Sequence, residues 1–189
     1  PHSAFPMAKN GTRKTRREII SDLAGISVLV CPSADVMTTM YPLDLGPDAE
    51  RGIPRMPPNI ARDGYPDNVS AVDTDGNETG GIRMPDISVP VATHTGFNPR
   101  HPKTGGDGQL LEYVGSSIPF PRDRAAREAA DDPRLSIAER YADRDDYLKK
   151  VGIAAEELVA ERWLLAEDTE LCIEIAASRY DICANFHFS

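Results

Sequence analysis

Prolines decide most of what this chain can build. Most of its 16 prolines fall between residues 46 and 121, among them Pro54, Pro57, Pro58, Pro66, Pro85, Pro90, Pro99 and Pro102. Each fixes φ and removes a backbone donor, so no long helix can run through this stretch. Such a segment is either disordered or an extended strap laid over a larger body. Disordered segments are poor in large apolar side chains. This one carries Ile53, Met56, Ile60, Tyr65, Val69, Val72, Val91, Phe97, Leu111 and Phe120, so the strap is the expected form. Inside it, Val69–Asp73 reads as a strand, Asp75-Gly76-Asn77 as a tight turn, and Gly80–Arg83 as the return of a β-hairpin.

The flanks read differently. In residues 1–45, Thr15–Leu23 has helical spacing, with Ile19, Ile20 and Leu23 on one side and Gly25 as a stop. The apolar run Ile26–Cys31 then predicts a short buried strand, closed by Pro32. In residues 122–181 proline nearly vanishes. A short helix is expected over Arg122–Ala130, ended by Asp131-Asp132-Pro133. Ser136 followed by Glu139 is a capping-box pattern. Over Asp143–Leu165, residues Tyr147, Leu148, Val151, Ala155, Leu158 and Trp163 recur on one helical face. Glu167–Tyr180 predicts a last helix that buries Leu171, Cys172, Ile175 and Ala176. The short connector Leu164-Leu165-Ala166 makes these two an antiparallel helical hairpin. Residues 182–189 read as a tail. The expected fold class is α/β: an extended proline-rich strap with short strands or a hairpin, then a C-terminal helical hairpin, all within one larger domain.

Composition excludes some functions. The 189 residues carry a formal net charge of −9 and a sequence pI near 4.9, which argues against a nucleic-acid partner. No run approaches the ~18 apolar residues of a membrane span. The basic run Lys9–Arg17 reads as a solvated helix face. It does not open a secretion signal, because Glu18, Ser21 and Asp22 interrupt the segment after it. The chain starts at Pro1 with no methionine before Met7, which fits equally a Met-Pro start whose methionine is removed or a piece cut from a longer protein. A signal lying upstream would permit secretion, so the compartment stays open. The three cysteines, Cys31, Cys172 and Cys183, have no paired spacing and read as reduced thiols, with a Cys172–Cys183 bridge as the alternative.

The search for chemistry ends without a catalytic set. No G-x-S-x-G elbow occurs; Gly115-Ser116-Ser117-Ile118-Pro119 comes nearest, with Pro119 in place of the second glycine. There is no phosphate-binding loop and no dinucleotide fingerprint, so no cofactor is expected. Asp73, Asp75 and Asn77 imitate the first ligands of a calcium loop, yet Glu78 replaces its glycine and Met84 its closing glutamate. A polar hairpin turn is the better reading. The histidines are His2, His94, His101 and His187. Zinc sites use closer pairs plus a third ligand, so no metal site is expected. His94, Thr95, Asn98 and Arg100 make a reasonable polar pocket lining and are the candidate substrate-pocket residues. The acidic pairs Asp131/Asp132, Asp145/Asp146 and Glu156/Glu157 read as helix starts or solvated faces.

Several blocks in order carry a resemblance. They are Leu43-Asp-Leu-Gly-Pro47, Val69-Ser-Ala-Val-Asp-Thr-Asp-Gly-Asn-Glu78, Gly81-Ile-Arg-Met-Pro-Asp86 and Val89-Pro-Val-Ala-Thr-His-Thr-Gly-Phe-Asn98. Gly115-Ser-Ser-Ile-Pro-Phe120, Asp132-Pro-Arg-Leu-Ser-Ile-Ala-Glu-Arg-Tyr141 and Leu164-Leu-Ala-Glu-Asp168 continue them. Residues 43–181 thus resemble the C-terminal part of a bacterial family of alpha/beta hydrolase domain-containing esterases or lipases. In that family the serine elbow, in a segment resembling G-W-S-x-S-G, and the catalytic histidine lie upstream of these blocks. Neither is recognisable here, and the neighbours of His2 do not make it that histidine, so no catalytic residue carries over.

The resemblance implies the C-terminal part of a carboxylic ester hydrolase that acts on a small ester, completes an α/β-hydrolase fold and is inactive alone. The alternatives are a binding or interaction module with helices 143–180 as its surface, or a subunit that completes a hydrolase in trans. A strap without the body beneath it would expose its apolar side and promote self-association.

Overall fold

The computed structural model describes residues 12–37, 41–65, 67–111 and 113–186. His2, Lys9, Pro66 and His187 lie outside the described residues. Strand β1 (Arg13–Thr15) leads directly into helix α1 (Arg16–Leu23). Thr15 closes the expected capping pattern: its Oγ1 accepts from the Glu18 N–H at 3.3 Å, and Glu18 accepts from the Thr15 N–H at 2.8 Å. Helix α1 buries Ile19 and Leu23 against Ile26 and Ala71. Ile26–Cys31 is not the strand that its composition suggests. The Ile26 N–H bonds the Leu23 carbonyl at 2.9 Å and the Leu29 N–H bonds the Ile26 carbonyl at 3.0 Å. Those donors are spent on turns, and Ile26 reaches the core from a turn instead of a ladder.

The strap contains no long helix among the described residues. Strand β2 (Leu43–Asp44) lies just before it, and the strap holds β3 (Asn59–Ile60), β4 (Asn68–Ser70), the single-turn helix α2 (Pro85–Ser88), β5 (Ala92–Thr95) and β6 (Ser116–Pro119). The ladders among the described residues are two-stranded and antiparallel: β1 with β4, β2 with β3, and β5 with β6. The tight turn is where the sequence puts it, with Asp73 Oδ1 accepting from the N–H groups of Asp75 and Asn77, both at 3.0 Å. Its return comes earlier than Gly80–Arg83. Val72 faces Glu78, and the Thr79 N–H bonds the Ala71 carbonyl at 2.8 Å. The long-range partner of β4 is β1, and residues 80–83 are irregular.

The helical part comprises α3 (Arg124–Ala129), α4 (Ile137–Arg140), α5 (Arg144–Ala160) and α6 (Thr169–Ala184). The hairpin of α5 and α6 is antiparallel: Arg144, at the start of α5, holds Asp181, near the end of α6, at 2.8 and 2.9 Å. Its limits differ from the sequence pattern. Helix α5 stops at Ala160, because Arg162 turns left-handed (φ 68°) and the Trp163 N–H folds back to the Leu158 carbonyl at 2.8 Å. Helix α6 continues past Tyr180 and buries Ala176 and Cys183, while Leu171 and Ile175 remain 52% and 46% exposed. Ala176, Tyr180 and Cys183 recur at helical spacing, so that stripe meets the core and Leu171 and Ile175 fall outside it. All three cysteines are free thiols.

The main core gathers Val91, Ala92, Phe120, Ile137, Tyr141, Tyr147 and Val151 with Ala176 and Cys183. Tyr147 stacks edge-on against Tyr141, with centroids 5.0 Å apart, and also meets Tyr180 at 5.1 Å. Through this core runs a buried ion pair, Asp132 with Arg134. Asp132 is 2% exposed, not on a solvated face as its place beside Asp131 suggests. Arg134 has five N–H donors, and five acceptors meet them. Nε and Nη2 bond the two Asp132 oxygens at 3.0 and 2.7 Å. Nη1 bonds Thr93 Oγ1 at 2.8 Å and the Ile118 carbonyl at 3.1 Å, and Nη2 bonds the Pro119 carbonyl at 3.2 Å. The guanidinium therefore ties the segment before α4 to both strands of the β5–β6 ladder.

This polar framework has two testable consequences. Replacing Asp132 with Asn leaves the buried Arg134 charge uncompensated and should cost about 3–5 kcal/mol; urea unfolding that shifts by less than about 1 kcal/mol would contradict it. Glu139, which closes the capping box on Ser136, is held down to about 2 by hydrogen bonds from Arg127 and then from the Ser136 hydroxyl and N–H. A carboxylate lowered on folding stabilises above its ordinary value near 4.5, and that contribution disappears as pH falls toward 2. Carboxyl NMR should find Glu139 titrating near 2, and back toward its ordinary value in Arg127→Gln.

Candidate functional site

The turn at 73–77 is fastened to the outer edge of β5. Asn77, fully buried, donates from Nδ2 to the Ala92 carbonyl at 3.0 Å and accepts the His94 N–H on Oδ1 at 2.8 Å. Its amide thus takes the place of a neighbouring strand, which quiets an edge that would otherwise carry unpaired groups. Thr93 Oγ1 donates to the Asp75 carbonyl, and the Asp75 carboxylate pairs with Arg140 of α4. These bonds explain the acidic turn without a cation: Asp73 caps the turn and takes Arg83 at 2.6 Å, and Asp75 serves Arg140. No cluster of three or more His, Cys, Asp or Glu suited to a metal occurs among the described residues.

Between this turn, α1 and β5 lies a cleft of about 170 Å³. Its apolar wall is Ile19, Ile20 and Leu23 from α1, with Val69, Val72 and Phe97 opposite. His94 and Thr95 line it as well. Gly76 also faces it, and this position needs glycine for two reasons. Its φ is +79°, and an added Cβ would lie 2.9 Å from Thr93 Cγ2, 3.0 Å from Ile26 Cδ1 and 3.1 Å from Leu23 Cδ2.

The four pocket candidates occupy different places. His94 and Thr95 share the cleft. Asn98 lines a neighbouring hollow of about 210 Å³, where Thr95 also contributes, and its Nδ2 reaches the Gly115 carbonyl at 3.4 Å. Arg100 is exposed and lines neither hollow; its N–H bonds the Gln109 carbonyl at 2.9 Å. Phe97 stands between the two hollows and lines both. The residues that sequence reasoning missed are Ser117 and the α1 wall. His94 and Ser117 are cross-strand partners in β5 and β6, and His94 Nδ1 lies 2.9 Å from Ser117 Oγ. No motif marks such a pair, because only strand register brings residues so far apart in sequence together.

A histidine beside a hydroxyl is two thirds of an activated nucleophile. The third part, a group that orients the imidazole from its far side, is not in place: His94 Nε2 is buried with no hydrogen-bond partner among the described residues. Burial also pulls the His94 imidazole below its ordinary value and keeps it neutral. Ser116, the other serine of this strand, spends its hydroxyl on the Phe97 carbonyl at 2.9 Å.

The model of a family described as "Alpha/beta hydrolase domain" matches residues 48–174, about two thirds of the chain. The match spans the turn, β5, β6 and most of the helical part, so one wall of the cleft lies inside it and the α1 wall lies before it. No curated protein gives a significant match, and no solved structure does.

Gly76→Ala should destabilise by about 2–4 kcal/mol, the sum of a left-handed alanine and an overpacked contact, with thermal unfolding as the readout. The His94 Cε1 proton should titrate below the ordinary histidine value near 6.5. A neutral form favoured by folding stabilises above that value and loses its contribution as pH falls beneath it. A midpoint at or above 6.5 would contradict the burial argument.

Proposed function

Because the chain belongs to the alpha/beta hydrolase domain family, we propose that it forms the substrate-lining part of a carboxylic ester hydrolase whose nucleophile comes from polypeptide outside these 189 residues. The observation that carries this reading is the cleft at β5: an apolar hollow lined by the half-buried His94, which also pairs with Ser117 and lacks an orienting acid among the described residues. Ester substrates need an apolar recess for an acyl or alcohol chain and a few placed polar groups to orient the reacting carbonyl. The sequence contributes no nucleophile elbow, so the work assigned to this chain is shaping the substrate. The small ester is the substrate class, and serine attack with a histidine base is the reaction type that the family name suggests.

A second reading rests on a separate observation. Leu43 and, within the strap, Ile53, Met56, Ile60 and Tyr65 are 59–78% exposed. Several large apolar side chains on one extended segment make a contact surface. On this reading the chain is an interaction module, or a subunit that completes a hydrolase in trans, and it self-associates when its partner is missing.

A fluorophosphonate probe separates these readings. The 189-residue chain alone should remain unlabelled, whereas an assembly that includes an elbow-bearing partner should be labelled on that partner's serine. Labelling of Ser116 or Ser117, located by peptide mass spectrometry, would place the nucleophile in this chain and sink the proposal. In an active assembly, His94→Ala should lower kcat/KM for short esters by about tenfold or more, the usual worth of one well-placed polar contact.

A further inference from the structure

Helix α6 carries apolar side chains on two faces. One face, with Ala176, Tyr180 and Cys183, meets the core. The other is open: Leu171, Ile175 and Ile182 are 52%, 46% and 67% exposed. A surface helix normally shows one apolar stripe, and a helix that is apolar on more than one side is normally covered on each. The spacing of four and then seven residues places these three side chains in line. Written as a heptad, Ile175 and Ile182 take the a positions and Leu171 takes d, the pattern of a helix–helix contact. Ser178 takes the other d position, and its hydroxyl is spent on the Glu174 carbonyl at 3.2 Å. From Leu171 to Ile182 the stripe is about 17 Å long, some three turns.

An acidic row runs beside this stripe. The same register puts Glu167, Glu174 and Asp181 at g, a position whose charges set partner choice. All three are exposed, with Glu167 in the single turn Ala166–Asp168 that precedes α6. Glu167 and Glu174 form no ion pair among the described residues, and Asp181 pairs with Arg144. The opposite flank, at e, holds Cys172 and Arg179, and Arg179 is engaged by Asp86 of α2.

That charge pattern selects the occupant. In an antiparallel pair with a second copy, twofold symmetry would set g against g, acid against acid. In a parallel pair g would meet e, where Cys172 is uncharged and Arg179 is already held. Each copy also carries a net charge of −9, which opposes self-pairing. A helix with its own apolar stripe and a basic flank satisfies the stripe and the acidic row together.

We propose that the outer face of α6 docks an amphipathic helix of a basic partner polypeptide, whose apolar stripe covers Leu171, Ile175 and Ile182 while its lysines or arginines face Glu167, Glu174 and Asp181. This docking does not rest on the ester-hydrolase reading, and it uses none of the exposed strap residues.

The experiment uses the whole 189-residue chain and two fluorescent three-heptad peptides. Both peptides carry leucine at a and d; one has lysine at e and g, the other glutamate. Fluorescence anisotropy should show saturable one-to-one binding of the lysine peptide, about tenfold or more tighter than of the glutamate peptide. Glu167→Lys combined with Glu174→Lys should invert that preference. Glu50→Lys combined with Asp63→Lys makes the same change of net charge in the strap and should leave the preference as it is. Leu171→Ser, Ile175→Ser and Ile182→Ser together should weaken lysine-peptide binding by about tenfold or more, with circular dichroism reporting that the fold persists. The inference is overturned if the lysine peptide gives no saturable binding, if the glutamate peptide binds equally well, or if the serine variant binds as the parent does. It is also overturned if the strap reversal abolishes the preference. A dimer of the parent chain that the serine variant dissolves, seen by sedimentation velocity, would assign the face to a second copy and overturn it as well. Should the serine variant unfold, the reversal at Glu167 and Glu174 decides: an unchanged preference overturns the inference. Peptide docking requires no hydrolysis, so its failure would leave the ester-hydrolase reading standing, and its success would not establish that reading.

Discussion

The guanidinium of Arg134 holds the two halves of this molecule in one arrangement. Burying a positive charge is tolerated only when every donor and the charge itself are met. Arg134 meets that condition with one carboxylate, one hydroxyl and two strand carbonyls. A lysine could not do so, since a compact ammonium has three donors and no planar fork. The position of the β5–β6 ladder relative to α4 is therefore set by directional bonds more than by apolar contact. Phe120 completes the arrangement: Arg134 lies 5.1 Å and Arg140 4.3 Å from its ring centroid, so the charges on the seam also have an aromatic face.

From that anchor the site is built in steps. Thr93 accepts from Arg134 and donates to the Asp75 carbonyl, so one hydroxyl couples the helical part to the acidic turn. Asp75 is held from the other side by Arg140. With the turn fixed, Asn77 is presented to β5, and its amide sets the backbone of Ala92 and His94. The place of His94 at the cleft is thus the end of a chain of satisfied polar groups that starts at Asp132. Polar networks of this kind specify geometry more than they add stability, because a missing member leaves its neighbours buried and unpaired.

How much of this is legible in the sequence depends on the range of the interaction that decides each feature. Local chemistry is legible. The capping boxes at Thr15 and Ser136, the turn at Asp75-Gly76-Asn77, the helical hairpin and the helix-free strap all arise from neighbours within a few residues. Features set by distant partners are not. Ile26–Cys31 has strand composition, yet no strand among the described residues pairs with it. Strand β4 pairs with β1 across more than fifty residues, a choice that turn chemistry cannot announce. Asp132 reads as solvated because its immediate neighbours are polar, and Arg134 comes to it through Pro133 in a conformation that only the packed ladder explains. At the cleft, His94 and Thr95 stand out as polar residues in a loop-like context, whereas Ser117 needs strand register and the α1 wall needs the tertiary fold. The family blocks and the buried seam coincide: Asp132, Arg134, Ser136, Glu139, Arg140 and Tyr141 each make a named structural bond.

The distribution of satisfied and unsatisfied groups carries the last step. Inside the helical part, charges as deep as Arg134 and Asp132 are fully matched. Tyr141, whose hydroxyl is pushed up to about 12 by burial, still donates to the Pro90 carbonyl at 2.8 Å. At β5 the matching stops, since His94 Nε2 is buried and has no partner among the described residues. The apolar residues Leu43, just before the strap, and Ile53, Met56 and Ile60 within it are exposed. A chain that satisfies a buried guanidinium to its last proton is not loosely built, so unmet needs such as these two are local features and not signs of general looseness. One is a buried polar atom on a residue that lines an apolar hollow. The other is the set of exposed apolar side chains along the extended segment. They involve different residues, so the two proposed readings, a substrate cleft and a contact surface, are separable in physical origin.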